Sequence, residues 1–390
     1  MAEEPTSDEA VSANIEQDSL TRKPLRVAVV GLGFGAEFVP IYQAHPHADV
    51  AAVCQRTASS LNEIADTFGI ERRYVDYEDV LADTEIDAIH LNTPIPLHAT
   101  QTIAALKAGK HVAVNVPMAT TLEECEEIVD AALASDRTYM MMETRVYSRE
   151  FLYVQELVQA GKLGRLQFLR GSHHQEMRDW PGYWEGLPPM YYATHAISPL
   201  LAIAERRAEY VHCHGSGRIR ESLATRYGSP FAIESALVKL HGADLSAEIT
   251  RSLFETAREY VEYFAVYGSE RSFEWEQTLN SGPVLFTGET ATYVDVPDFA
   301  DRLPKQIRVF TTQGVYGGSE PGTALPHASG HGGSHPHLVH EFVESIREHR
   351  TPTVNAFVAA NWSAVGLCAH ASALAGGERV ALPAFTLDEA

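Results

Sequence analysis

The 390-residue chain has little positive charge for its size: 30 lysines and arginines stand against 52 aspartates and glutamates, a net charge of −22. That balance argues against nucleic acid or an anionic membrane surface as a partner, since both would repel it. Cysteine is scarce too. Cys54, Cys125, Cys213 and Cys368 are scattered with no metal-ligand or redox spacing, which reads as reduced thiols in a cytoplasmic protein. No apolar run reaches membrane-spanning length, and the amino terminus carries no basic-then-apolar signal. Repeats and low-complexity tracts are missing as well. What is present, 45% hydrophobic and 21% charged residues, is ordinary globular composition, in a chain long enough for two domains with their own cores.

Residues 1–23 are acidic, polar and aperiodic, and read as a solvated arm with no catalytic part. The most informative stretch follows, LRVAVVGLGFG from Leu25 to Gly35, with Ala36 next. An apolar β-branched run meets a Gly-x-Gly-x-x-Ala turn, and a helix is expected from Ala36. Such a turn lays a dinucleotide pyrophosphate against backbone N–H groups and the positive end of a helix. Gly31 allows the tight turn, Gly33 leaves room for phosphate, and Ala36 lets helix and strand pack closely; Phe34 belongs to the same loop. Strand and helix patterns then alternate with short turns to about Arg145, which predicts a doubly wound parallel sheet over residues 24–145. Thr57 and Thr121 are placed to cap two of the helices. From 146 to 390 a helix leads into long strand-like runs, so an α+β domain with a large, open, mostly antiparallel sheet is expected. The glycine-, serine- and histidine-rich loop from about Asp301 to Gly333 is long enough to line a site.

A second block, NTPIPLHATQTIAALKAGKHVAVNVPMATT from Asn92 to Thr121, adds weight to the nucleotide reading. With GLGFGA it resembles the glucose–fructose oxidoreductase/inositol dehydrogenase/MocA (Gfo/Idh/MocA) family, which carries Thr-Pro-x-x-x-His, Ala-Leu-x-x-Gly-Lys-His-Val and Glu-Lys-Pro at this spacing. The resemblance spans the Rossmann half and continues weakly into MYYATHAISPLL. It implies bound nicotinamide dinucleotide and oxidation or reduction of a sugar or cyclitol carbon. Under it, Gly31, Gly33 and Ala36 hold the pyrophosphate, Thr93 and Pro94 contact the nicotinamide side, and Asn92 is a further cofactor-binding residue. His98 braces that turn, Asn115 and Pro117 lie near the nicotinamide ribose, and His195 faces the reacting carbinol.

The chain departs from the family at three places. Val116 stands where the family has its proton-handling lysine, and an isopropyl group moves no proton. Tyr191 replaces an aspartate four residues before His195. Gln55 and Arg56 end the second strand where an acid binds the adenosine ribose. The last change removes repulsion against a 2′-phosphate, which Arg56 is able to pair with; Gln55 still suits ribose hydroxyls. NAD is the expected cofactor, with NADP left open. His195 is then the expected base, with Tyr191, one helical turn earlier, sharing its proton.

Further polar groups are candidates for substrate contact. Glu143 and Arg145 follow the strand TYMMM, and are also readable as a structural ion pair. His174 and Trp184 belong to a histidine- and aromatic-rich segment suited to a sugar ring, though the aromatics also suit a small core. His327, His331, His335, His337 and His340 invite a metal, but glycines and Pro336 argue against helix before that proline. No metal is expected, and His331, His335 and His337 are read as reaching substrate. Three functions fit: an NAD-dependent dehydrogenase of a sugar, cyclitol or glycoside (the C3 hydroxyl of a glycoside by a narrower resemblance); a redox-neutral NAD-dependent glycosidase or lyase; and a dinucleotide-binding sensor. A carbohydrate substrate and a homo-oligomer, dimer or tetramer, are the expected partners.

Overall fold

Buried apolar residues at every position but Arg26 make β1 (Leu25–Val30) the centre of the first sheet. It is joined by β2 (Ala48–Cys54), β3 (Arg73–Tyr74), β4 (Ala88–Leu91), β5 (His111–Val114) and β6 (Tyr139–Met141). All run parallel in the order β3-β2-β1-β4-β5-β6. Near-continuous apolar strands of this kind need both faces covered, and helices cover them. The computed structural model describes residues 23–278, 281–312 and 330–386; the acidic arm and His327 lie outside these.

The first helix starts earlier than expected. Gly31 turns the chain at φ 85°, so α1 (Leu32–Gly35) begins directly after it, and Ala36 falls in a 3-10 turn before α2 (Val39–Ala44). The other helices of this unit are α3 (Ala58–Thr67), α4 (Tyr77–Ala82), α5 (His98–Lys107) and α6 (Leu122–Leu133). Thr57 holds the cap position of α3 without a side-chain bond, whereas Thr121 and Glu124 form a reciprocal capping box on α6. The strand order reverses between β1 and β4, which opens a crevice at their carboxyl ends.

After α7 (Arg149–Gln159) comes the second sheet: β7 (Leu166–His174), then, beyond α8 (Thr194–Ala204), β8 (Ala208–Ser216), β9 (Ile233–Leu240), β10 (Ser246–Ser252), β11 (Val261–Gly268), β12 (Arg271–Glu274), β13 (Val284–Thr287) and β14 (Thr290–Tyr293). With a short β15 (Val380–Ala381) its order is β14-β13-β12-β11-β7-β10-β9-β8-β15, antiparallel except for the β7–β10 pair. Helix α8 lies directly on β7: a Cβ at Gly171 would collide with the Ala196 carbonyl oxygen. Only glycine permits that approach, and it fixes which face of β7 meets α8. Gly171 and His173 face the helix; Ser172 and His174 face away.

The last two helices are α9 (Ser334–Arg347) and α10 (Ala356–Leu374). Leu338, Val339, Phe342 and Val343 of α9 share a core with Phe38, Ile41 and Tyr42 of the first unit. Contrary to the expectation, α9 begins before Pro336, which sits in the first turn, where a missing N–H costs no helical bond. Helix α10 is long and apolar enough to cross a membrane, which the sequence reading did not anticipate, but 72% of its apolar window is buried inside the protein.

Candidate active site

A cleft of about 1920 Å³ runs between the carboxyl ends of the parallel strands and the second sheet. At its first end lie Gly31, Gly33, Phe34, Gln55, Arg56, Asn92, Thr93, Pro94, His98 and Asn115. The two ends of the glycine loop are tight: a Cβ on Gly31 would meet the Asn92 carbonyl oxygen at 2.5 Å, and one on Gly35 the Asn92 side chain at 2.9 Å. Gly33, by contrast, has nothing within 4 Å of its would-be Cβ and opens onto the cleft. A closed turn with one open glycine is the cradle a pyrophosphate needs, so the residues present fit a dinucleotide. Asn115 donates to Asn92 Oδ1 at 2.6 Å, tying the tips of β4 and β5 together. His98 lies 2.8 Å from both the Thr93 and Pro117 carbonyl oxygens, bracing the turn. Ala36 and Pro117 are buried behind the cleft and do not line it. Gln55 also secures the glycine loop, because its Oε1 accepts the Leu32 N–H at 2.9 Å.

Facing this end are His195, at the start of α8, and Tyr192 just before it; Val116, next to Asn115, also lines the cleft. His195 Nδ1 donates to Glu143 Oε1 at 2.6 Å, and both groups are buried. Glu143 is held by the turn it caps, since Oε1 also accepts the Arg145 N–H at 3.0 Å. With its proton committed at Nδ1, His195 presents Nε2 as the basic nitrogen. Glu262 Oε1 lies 3.7 Å from Nε2 and 3.6 Å from His173 Nε2. Burial alone would raise the Glu262 carboxyl, but Arg145, which pairs with it, and the flanking histidines hold it down at about 2. Tyr260 donates to the same carboxylate at 2.5 Å. A fixed negative charge therefore stands ready for the imidazolium that forms when His195 takes a proton. Arg251, fully buried, donates to the Tyr192 carbonyl at 2.8 Å and the His173 carbonyl at 3.0 Å, locking both elements. Burial lowers its guanidinium to about 10.

Several side chains lie elsewhere than the sequence pattern suggests. Tyr191 does not line the cleft. Residues 189–192 form a 3-10 turn rather than the first turn of α8, so the neighbouring Tyr192 takes the place beside His195, ring centroids 5.7 Å apart. Tyr191 meets His370 edge-to-face instead, with ring centroids 5.2 Å apart. His174 faces away, bonded to Ser252 at 2.9 Å; His173 is the histidine on the inner face. Glu143 and Arg145 do not form the side-chain ion pair the sequence allowed: beyond the backbone bond from Arg145 N–H to Glu143, each side chain is claimed by a different group. Arg145 lines the cleft, while Glu143 acts through His195. Trp184 reaches the cleft with a buried ring packed among Met177, Leu187 and Phe254.

The carboxy-terminal histidines divide. His331 lines the cleft, edge-on to Phe34 at 5.4 Å and 6.4 Å from His195. His335 stands behind it, 3.1 Å between ring nitrogens, and its Nδ1 is 3.5 Å from Glu37. His337 is buried away from the cleft. His340 joins His45 and Glu344, whose ligand-type atoms all lie within 4.8 Å. His45 Nδ1, however, accepts the His47 N–H at 3.1 Å. The neutral ring's proton is therefore on Nε2, facing His340, where a metal would need a lone pair. Sequence reasoning overlooked Glu262, Tyr260 and Arg251. The available signal was Glu262 inside the otherwise apolar run of β11; Arg251, in the alternating strand SAEITRS, carried none.

Residues 25–143 match the oxidoreductase (Gfo/Idh/MocA) family, NAD-binding Rossmann fold, and residues 323–389 match the carboxy-terminal domain of glycosyl hydrolase family 109. A family 109 protein of Saccharopolyspora erythraea is 28% identical over 200 residues, 46% of this chain and 44% of that one. One from Shewanella baltica is 26% identical over 255 residues, 59% of this chain and 56% of its own length. The chain thus spans about half the length of these relatives. Among solved structures, levoglucosan dehydrogenase with NADH and levoglucosan aligns at TM-score 0.73 and 20% identity, over 93% of this chain and all of that one (100%). A myo-inositol 2-dehydrogenase from Lactobacillus plantarum aligns at 0.72 and 18%, with coverage of 93% and 100%. These likenesses establish the two-domain fold.

Proposed function

We propose that this chain, a member of the Gfo/Idh/MocA oxidoreductase family through its NAD-binding Rossmann domain, oxidises or reduces a secondary hydroxyl carbon of a sugar, cyclitol or glycoside. The carrying observation is the Glu143–His195 pair, which aims one basic nitrogen into the cleft beside the strand tips where the dinucleotide fits. When bound there, nicotinamide dinucleotide supplies the hydride acceptor. Gly33 and the α1 amino terminus would hold its pyrophosphate, and Asn92, Thr93 and Asn115 would lie toward its nicotinamide end. His195 Nε2 takes the hydroxyl proton, Glu143 keeps the ring in the right tautomer, and Glu262 offsets the charge that develops. Val116 contributes an apolar wall, so the proton falls to histidine alone.

The match of residues 323–389 to glycosyl hydrolase family 109 supports a second reading, a redox-neutral glycosidase using the same proton machinery. Measuring NADH absorbance with a panel of free sugars, cyclitols and glycosides separates the two. Net NADH formation, abolished in His195→Ala, is the dehydrogenase result. Aglycone release without NADH is the glycosidase result, and neither product sinks both readings. The open face of the second sheet, where Leu237 is 51% exposed, supports a homo-oligomer, and four buried free cysteines support a cytoplasmic setting.

A further inference from the structure

We propose that Trp180 is a stacking platform for a second ring of the substrate, which makes the preferred substrate a disaccharide or aryl glycoside rather than a free monosaccharide or cyclitol. The sequence directed attention to Trp184, but the structure reverses the two tryptophans. Trp184 is 8% exposed and anchored in a local core, whereas Trp180 is 41% exposed on the cleft wall. Among the described residues Trp184 is the only aromatic ring in contact with Trp180, meeting it at 88° and 5.5 Å. An indole held this way keeps apolar ring surface free.

The pillar beneath it leads to the proton acceptor. Trp184 packs on Tyr192 at 5.0 Å, and Tyr192 on His195 at 5.7 Å. Trp180 thus stands three ring contacts from the nitrogen that serves the reacting carbinol. Trp180 and His195 make no ring contact with one another, so a second ring, linked to a pyranose whose carbinol faces His195, is what would cover Trp180. The cradle that would hold the dinucleotide's pyrophosphate lies on the strand tips of the first sheet, whereas Trp180 follows β7 of the second. The neighbouring Asp179 also lines the cleft and offers an acceptor for ring hydroxyls, the usual partner of an apolar platform in sugar recognition. The cleft, at about 1920 Å³, exceeds the ~300–1,000 Å³ of a typical single-ligand pocket, leaving room for a two-ring substrate beside the cofactor.

This inference rests on the carbohydrate reading above, and its test keeps the two apart. KM and kcat are measured for methyl hexopyranosides, p-nitrophenyl hexopyranosides and disaccharides in wild type, Trp180→Ala and Trp180→Phe. Direct binding of the same sugars to the NAD-loaded protein is followed by tryptophan fluorescence. Trp180→Ala is expected to raise KM about tenfold for two-ring substrates and less than about twofold for methyl glycosides, with Trp180→Phe restoring most of the loss. Equal effects on both substrate classes, or none on either, overturn the platform while leaving the hydride-transfer reading intact. If no sugar is turned over or bound by wild type, the carbohydrate reading itself fails.

Discussion

Glu143 and His195 meet across the boundary between the two halves of the protein, 2.6 Å apart at Oε1 and Nδ1, with neither group open to solvent. One belongs to the turn after the last parallel strand, the other to the helix lying on the second sheet. Docking of the halves therefore sets the tautomer of the proton acceptor. Replacing Glu143 by Gln leaves a neighbour of similar shape that no longer favours the Nδ1–H form. Glu143→Gln is expected to lower kcat by ~10²–10⁴ with little change in NAD affinity, and Glu143→Asp to recover part of the loss. Steady-state kinetics alongside calorimetric NAD titration checks both halves of the claim.

Glu150, at the start of α7, lines the cleft with its Oε2 closed off from water and without a hydrogen-bond partner among the described residues. Burial, reinforced by the Glu276 carboxylate, raises its pKa from 4.5 to about 7. The folded state therefore favours the protonated acid more than the unfolded chain does. That contribution to stability is complete below 4.5 and is lost as pH rises through about 7. Glu150→Gln removes the loss. Relative to wild type, the variant is expected to gain roughly 1–3 kcal/mol between about pH 5 and about pH 8, read from urea unfolding at each pH.

Gly31 has both a positive φ of 85° and a backbone oxygen 2.5 Å from its would-be Cβ. Gly31→Ala is expected to cost ~1–3 kcal/mol of stability even without cofactor. Urea unfolding of the cofactor-free protein measures it.

Much of the fold was legible because it rests on local patterns. The β1–Gly31–α1 unit, the Thr121 capping box and the 3.6-period helices carry their signals within a dozen residues. The cradle was legible for the same reason: Gly31, Gly33, Asn92, Thr93 and His98 lie in two short motifs. The catalytic surround was not. Glu262 reaches His195 only because β11 pairs with β7, and His173 rather than His174 turns inward because Gly171 lets α8 settle on that face. Tyr191 was favoured by assuming helical spacing to His195, and a 3-10 turn at 189–192 shifted the register so that Tyr192 arrived instead.

The proposed chemistry requires a dinucleotide in the Gly33 cradle. Calorimetric titration of the purified protein with NAD tests this directly, comparing wild type with Gly33→Val. The predicted result is one-to-one binding with a Kd of about 1–100 μM in wild type, lost by at least about tenfold in a variant that folds normally, since a Cβ at this position has no neighbour within 4 Å outside its own stretch of chain and the side chain enters the phosphate space. Absence of binding to wild type, or equal binding to Gly33→Val, would contradict it.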